Sequence, residues 1–119
     1  MPSDVAYDDK LRLIEVVHTG FVSEENLGKC TADGIAIHLE KGVNEVLISA
    51  LELESFADFL DVHERPRHCE EANVSRSTRF AVVSPRSAKA QEFIQFYDNI
   101  CFNRGWKVKQ SKSRDEVIT

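Results

Sequence analysis

The stretch that most restricts what this chain can become is residues 44–58, NEVLISALELESFAD. Val46, Leu47 and Ile48 form an apolar run too short for a helix and bounded by polar or small residues. Such a run reads as a strand buried on both faces. Beyond Ser49 the residues turn acidic at Glu52 and Glu54, and Ser55 reads as the cap of a helix over residues 54–63. Phe56, Phe59, Leu60 and His63 follow helical spacing there. In an open α/β sheet, ligands and partners meet the chain at the carboxyl ends of strands. The exit of this strand is therefore the first candidate surface.

The flanking residues supply the remaining layers. Residues 5–7 and 11–18 read as two strands joined by a turn at Asp8 and Asp9, with Thr19-Gly20 closing the second. Ser23 caps a helix that runs to about residue 40, with Glu24 and Glu25 in its first turn and Lys41-Gly42 at its end. Pro66 predicts a break after the second helix, because the residue before a proline is biased away from helix. Residues 67–78 then read as an irregular connection with a short helical tendency. Residues 79–84 form another buried strand. Ser84-Pro85 caps a third helix, which runs to the stop at Asn103-Arg104-Gly105. Residues 106–110 alternate as an edge strand, and Ser113 starts a last helix.

The order is β-β-α-β-α-β-α-β-α. It predicts an α/β fold with a mixed, mostly parallel sheet of about five strands covered by helices. Residues 1–119 read as one domain, long enough to bury a core without metal or disulfide staples. The net charge of −5 argues against a nucleic-acid binder that relies on neutralising phosphates. Three cysteines at wide spacing suggest reduced thiols, and the N-terminus lacks the charge and apolar pattern of a secretory signal. No run approaches the roughly 20 apolar residues of a membrane span. Together these predict a cytoplasmic protein.

Four segments carry a resemblance. They are Thr19-Gly20 before Val22-Ser23-Glu24-Glu25, then Val46-Leu47-Ile48-Ser49, then Arg79-Phe80-Ala81-Val82-Val83, then Asn103-Arg104-Gly105-Trp106-Lys107-Val108. In that order, over residues 5–119, the chain resembles the STAS domain. More closely it is similar to the bacterial SpoIIAA-like, STAS/SEC14-like group of anti-sigma-factor antagonist-like proteins. The resemblance implies a non-enzymatic, regulatory protein-interaction module. It also implies a phosphorylatable serine at the start of the helix after the central strand, modified by a partner kinase. Ser55 matches by position, although Ser49 stands where the family has Asp and Phe56 where it has a small residue.

Ser55 is thus the candidate phosphorylation or anion site. Ser49, Glu52, Glu54, Ser55 and Asp58 form the candidate partner surface, for a regulatory kinase or another regulator. Arg65, Arg67 and Arg76 form a candidate basic loop, and Phe96 and Phe102 are candidate exposed aromatics for a homodimer. The alternative function is a small-molecule or lipid-binding module of the SEC14-like superfold, with an apolar pocket between the second helix and residues 67–78. No catalytic residue, metal site or cofactor is expected. His63, His68 and Cys69 match no zinc spacing, and there is no G-x-S-x-G elbow. Asp8 and Asp9 precede a hairpin strand, which excludes a receiver-type acidic pair.

Overall fold

Five strands lie side by side in chain order in a computed structural model that describes residues 2–118. They are β1 (Ser3–Asp8), β2 (Leu13–Val22), β3 (Glu45–Phe56), β4 (Arg79–Val83) and β5 (Lys107–Ser111). The pair β1/β2 is antiparallel and every other pair is parallel. The β1–β2 turn is closed by Asp8 Oδ1, which accepts from the Leu11 N–H at 2.9 Å, and by Arg12 in the left-handed region. Asp and a left-handed residue together do here what glycine does in shorter hairpins.

Three helices make the crossovers: α1 (Glu24–Lys41), α2 (Phe59–Glu71) and α3 (Ala88–Asn103). Right-handed crossovers that always step in the same direction place all their helices on one face of the sheet. The main core lies between them: Val22, Ala50, Leu53, Phe56 and Val82 from the sheet meet Leu27, Val62, Phe93 and Ile94 from the helices. Alternation along the strands sends Leu13, Leu47 and Val83 to the opposite face, where they form a smaller cluster with Leu51 and Ala81. A short helix, α4 (Arg114–Ile118), follows β5 on that side. Arg114 Nε and Nη2 donate to both Glu15 oxygens at 3.0 and 3.1 Å, which ties the end of the chain back across β4 and β3 to β2. No described helix is long and apolar enough to cross a membrane.

The first helix has the bounds its caps predict. Ser23 accepts from the Asn26 N–H, and Gly42 closes the helix at φ 66° with its N–H on the His38 carbonyl. Elsewhere the boundaries move. Strand β2 continues through Thr19-Gly20 to Val22 instead of ending there. Helix α3 is capped by Ser87, not Ser84. The Ser84 N–H is claimed by the Ser111 carbonyl of β5, and that of Arg86 by the Leu51 carbonyl. Residue 84 is therefore tied to β5 just past the end of β4 and is not free to start a helix. Helix α2 starts five residues later than the spacing predicts and runs through Pro66 to Glu71. Proline has no N–H for the Val62 carbonyl, and the neighbouring Asp61 carbonyl accepts instead from Arg65 Nε at 2.9 Å.

Candidate functional site at the exit of the central strand

Strand β3 has two parts. Residues 46–49 are paired on both sides, to β2 and to β4. From Ala50 onward only β2 remains as a neighbour, and the register slips twice, between Val17/Thr19 and between Gly20/Phe21. Each slip inserts an extra β3 residue, as a β-bulge does. Gly20 at φ +63° permits the second slip; a Cβ there would stand 3.8 Å from Glu54 Oε2. The bulges convert alternation into a spacing of three, so that Ala50, Leu53 and Phe56 all enter the core at 0%, 1% and 5% exposure. A strand with this spacing imitates a helix in the sequence.

Ser55 is consequently a strand residue and not a helix cap. It pairs with Phe21, is half-buried, and donates from Oγ to the Phe56 carbonyl at 2.8 Å. The cap of α2 is Asp58, whose carboxylate accepts from the Leu60 N–H. A carboxylate already fills the positive end of that helix.

The other surface candidates divide. Ser49 sits inside the ladder, between Val17 and Val83. Glu52, Glu54 and Asp58 are exposed along the overhang with Ser55 between them, and Glu52 pairs with Arg86 at 2.9 Å. Sequence reasoning missed two neighbours of this acidic edge. Phe21, opposite Ser55, is 58% exposed, and Leu60 in the first turn of α2 is 62% exposed. The signal for Phe21 was the continuation of β2 past Gly20, which places Phe21 and Val22 on opposite sides. Phe59 stacks on Phe93 with ring centroids 4.3 Å apart. Of the two α3 aromatics expected to be exposed, Phe102 is 78% exposed, whereas Phe96 packs edge-on against Phe59.

The expected basic loop does not form, because α2 runs through Pro66 and holds Arg65 and Arg67, leaving only Arg76 in the connection, and each of the three turns to a different partner. Arg67 pairs with Glu64 and Glu71 on its own helix. Arg76 joins a clamp around Glu70: its Nη2 is 3.1 Å from Glu70 Oε2, and its guanidinium lies 4.4 Å from the centre of the Trp106 ring. Arg104 Nε and Trp106 Nε1 donate to the same carboxylate at 2.7 and 3.2 Å. Arg104, followed by Trp106, holds the Glu70 carboxyl down to about 2. Arg65 instead turns inward, where Nη1 donates to Thr31 Oγ1 at 2.9 Å and makes no ion pair among the described residues.

Arg65 borders an interior cavity of about 110 Å³ between the sheet and the three helices. It is lined by Val62 of α2 and by Cys69, Val74 and Thr78 of the 67–78 stretch, where an apolar pocket was expected, and extends beneath α1 to Gly34 and His38. His18 also lines it and is held down to about 4 by burial, hence neutral at physiological pH. Burial pushes Cys30 and Cys101 up to about 12 and Cys69 up to about 11, so these thiols stay protonated and unreactive. Among the described residues, no three His, Cys, Asp or Glu side chains gather as a metal site.

No protein-family profile matches the chain, and no curated protein matches it in sequence. Solved structures do. The unphosphorylated form of the anti-sigma factor antagonist SpoIIAA superposes with a TM-score of 0.65 at 10% identity, covering 98% of this chain and 94% of that one. An uncharacterised protein of the DUF3478 family from Shewanella loihica, with a SpoIIAA-like fold, superposes with a TM-score of 0.60 at 12% identity, covering 96% and 87%. The mixed five-stranded sheet with its helices is thus the SpoIIAA-like, STAS-type fold.

Proposed function

We propose that the protein is a non-enzymatic cytoplasmic interaction module that meets a regulatory protein at the exit of β3. The observation that carries this reading is the overhang of that strand, which β4 leaves uncovered. At this exit Phe21, opposite Ser55, and Leu60, in the first turn of α2, stand more than half exposed, and Glu52, Glu54 and Asp58 are exposed nearby in the chain. Large apolar side chains held in water next to a polar rim mark interaction sites. The acidic rim favours a partner whose apolar socket is ringed by Lys and Arg. The SpoIIAA neighbour is an anti-sigma factor antagonist, which supports a regulator of that kind, or its kinase, as the partner class here. Phosphate on Ser55 would add to the charge of Glu52, Glu54 and Asp58, and would act on the same contact by repulsion or by recruiting arginines.

Affinity purification from the native host tests the reading. The wild-type protein retains a partner that the double variant Phe21→Ser, Leu60→Ser loses while keeping its thermal stability. A wild-type protein that repeatedly returns alone defeats the proposal. Mass spectrometry across growth states tests the phosphate separately, and a Ser55 that is never modified removes it.

A further inference from the structure

The interior cavity has a composition that packing alone does not explain. Its walls are mostly apolar, from Ile14, Val16, Val46, Ile48 and Val82 of the sheet and Val62 of α2. Polar groups interrupt that lining, among them His18, Thr31 and His38, and two more, Thr78 and Arg65, bear on binding. Thr78 is 1% exposed, and its Oγ1 has no hydrogen-bond partner among the described residues. A buried hydroxyl in that state carries a desolvation cost that a ligand atom would remove. Arg65 stands half-buried at the rim between α1 and α2, with desolvation weakening its hold on its proton and only Asp61 and Glu64 offsetting this among nearby carboxylates. Its neighbours Thr31 Oγ1 and the Asp61 and Leu27 carbonyls are all neutral acceptors. A guanidinium so placed favours an anion, which it meets with paired N–H donors.

We infer that this cavity binds a compact carboxylate with an apolar body. The carboxylate meets Arg65, the body fills the apolar chamber, and Thr78 Oγ1 bonds a polar atom of the guest. The size follows from the volume. The cavity measures about 110 Å³, and an apolar cavity of roughly 150 Å³ admits benzene. The part of the guest inside the chamber therefore has about four non-hydrogen atoms, as in a short branched-chain acid whose carboxylate oxygens stay at the rim, and a long acyl chain does not fit. This site is separate from the partner surface proposed at the exit of β3, and either proposal stands without the other.

The test titrates the purified full chain with isobutyrate and with its neutral isostere isobutyramide, followed by amide NMR shifts. Isobutyrate binds about tenfold more tightly than the amide, as one charge-assisted contact to Arg65 predicts, and the shifts centre on Arg65, Thr78 and Gly34. Arg65→Met removes the preference and leaves amide binding in place, which also shows that the variant is folded. Thr78→Val leaves isobutyrate binding unchanged and weakens 3-hydroxyisobutyrate, whose added hydroxyl meets Thr78 Oγ1, by about threefold to tenfold. Gly34 lines the cavity with open space where its Cβ would be, so Gly34→Leu fills it, raises the melting temperature and abolishes binding of both probes. Absence of binding, equal binding of acid and amide, or an Arg65→Met protein that keeps the preference overturns the assignment.

Discussion

Two charged positions five residues apart on α2 have opposite fates. Glu70 is met by Arg104, Arg76 and the Trp106 N–H, so that each carboxylate oxygen has cationic or N–H partners. Arg65 faces a cavity that also holds an orphan Thr78 hydroxyl and a neutral His18. The clamp is a finished piece of structure: it staples α2 to the end of α3 and the start of β5. The cavity is unfinished as structure, since the buried Thr78 hydroxyl on its wall lacks the hydrogen bond that buried polar groups normally have. Satisfied charge holds a fold together, whereas unsatisfied polar groups in a core point to binding.

The contrast predicts where substitutions hurt. The largest loss falls in the clamp. Trp106 is 4% exposed, packs edge-on against Phe80 and carries the Arg76 guanidinium. Trp106→Ala should cost about 3–5 kcal/mol, read as a shift of the denaturation midpoint in urea.

The cavity side answers next, through pH. The folded-state value of His18 is lowered from 6.5 to about 4 by burial. The unfolded chain therefore takes up a proton below about pH 6.5 that the folded chain refuses. Stability is complete above pH 6.5, falls as pH drops from 6.5 to 4, and gains no further loss from this group below 4, a total of about 3 kcal/mol. Melting curves between pH 4 and 7 measure it, and His18→Leu should flatten that window.

A third, smaller effect separates the two regions by pH. Glu70→Gln should cost about 1–2 kcal/mol at neutral pH. The carboxyl of Glu70 is depressed from 4.5 to about 2, so its contribution is present above pH 4.5 and lost as pH falls through about 2. The wild type and the variant should converge in strong acid, well below the His18 window. The smallest effect is at Arg65. Replacing a half-buried guanidinium that lacks an ion pair with an apolar side chain should change stability by no more than about 0.5 kcal/mol or raise it. An Arg65→Met variant as unstable as Glu70→Gln would erase the distinction between the two sites.

The order of elements was legible because it rests on local signals. Ser23 with Glu24 and Glu25 starts α1, and Lys41-Gly42 ends it, since caps, dipole and left-handed glycine all act within one turn. The second half of β3 was not legible. Two bulges against Gly20 place Ala50, Leu53 and Phe56 three residues apart, and periodicity alone cannot tell that from a helix. Pro66 misled for a related reason. A proline weighs against a helix on its own, but here it is buried in α2 and the packing of that helix outweighs its missing N–H. Ser55 was placed at a helix start by this double error, and the acidic surface around it survived because Glu52, Glu54 and Asp58 are exposed either way.

What the sequence determined by itself was the class of the fold: an α/β sheet with an opening hairpin, its elements in chain order and its first helix bounded to within about a residue. Those features depend on neighbours in the chain, and neighbours are what a sequence displays. Only the tertiary structure decided which of three arginines turns inward, that Glu70 gathers Arg76, Arg104 and Trp106, and that Thr78 is left without a partner beside a cavity. These depend on contacts between residues some 30 to 40 positions apart, and no local preference encodes which distant side chain will arrive.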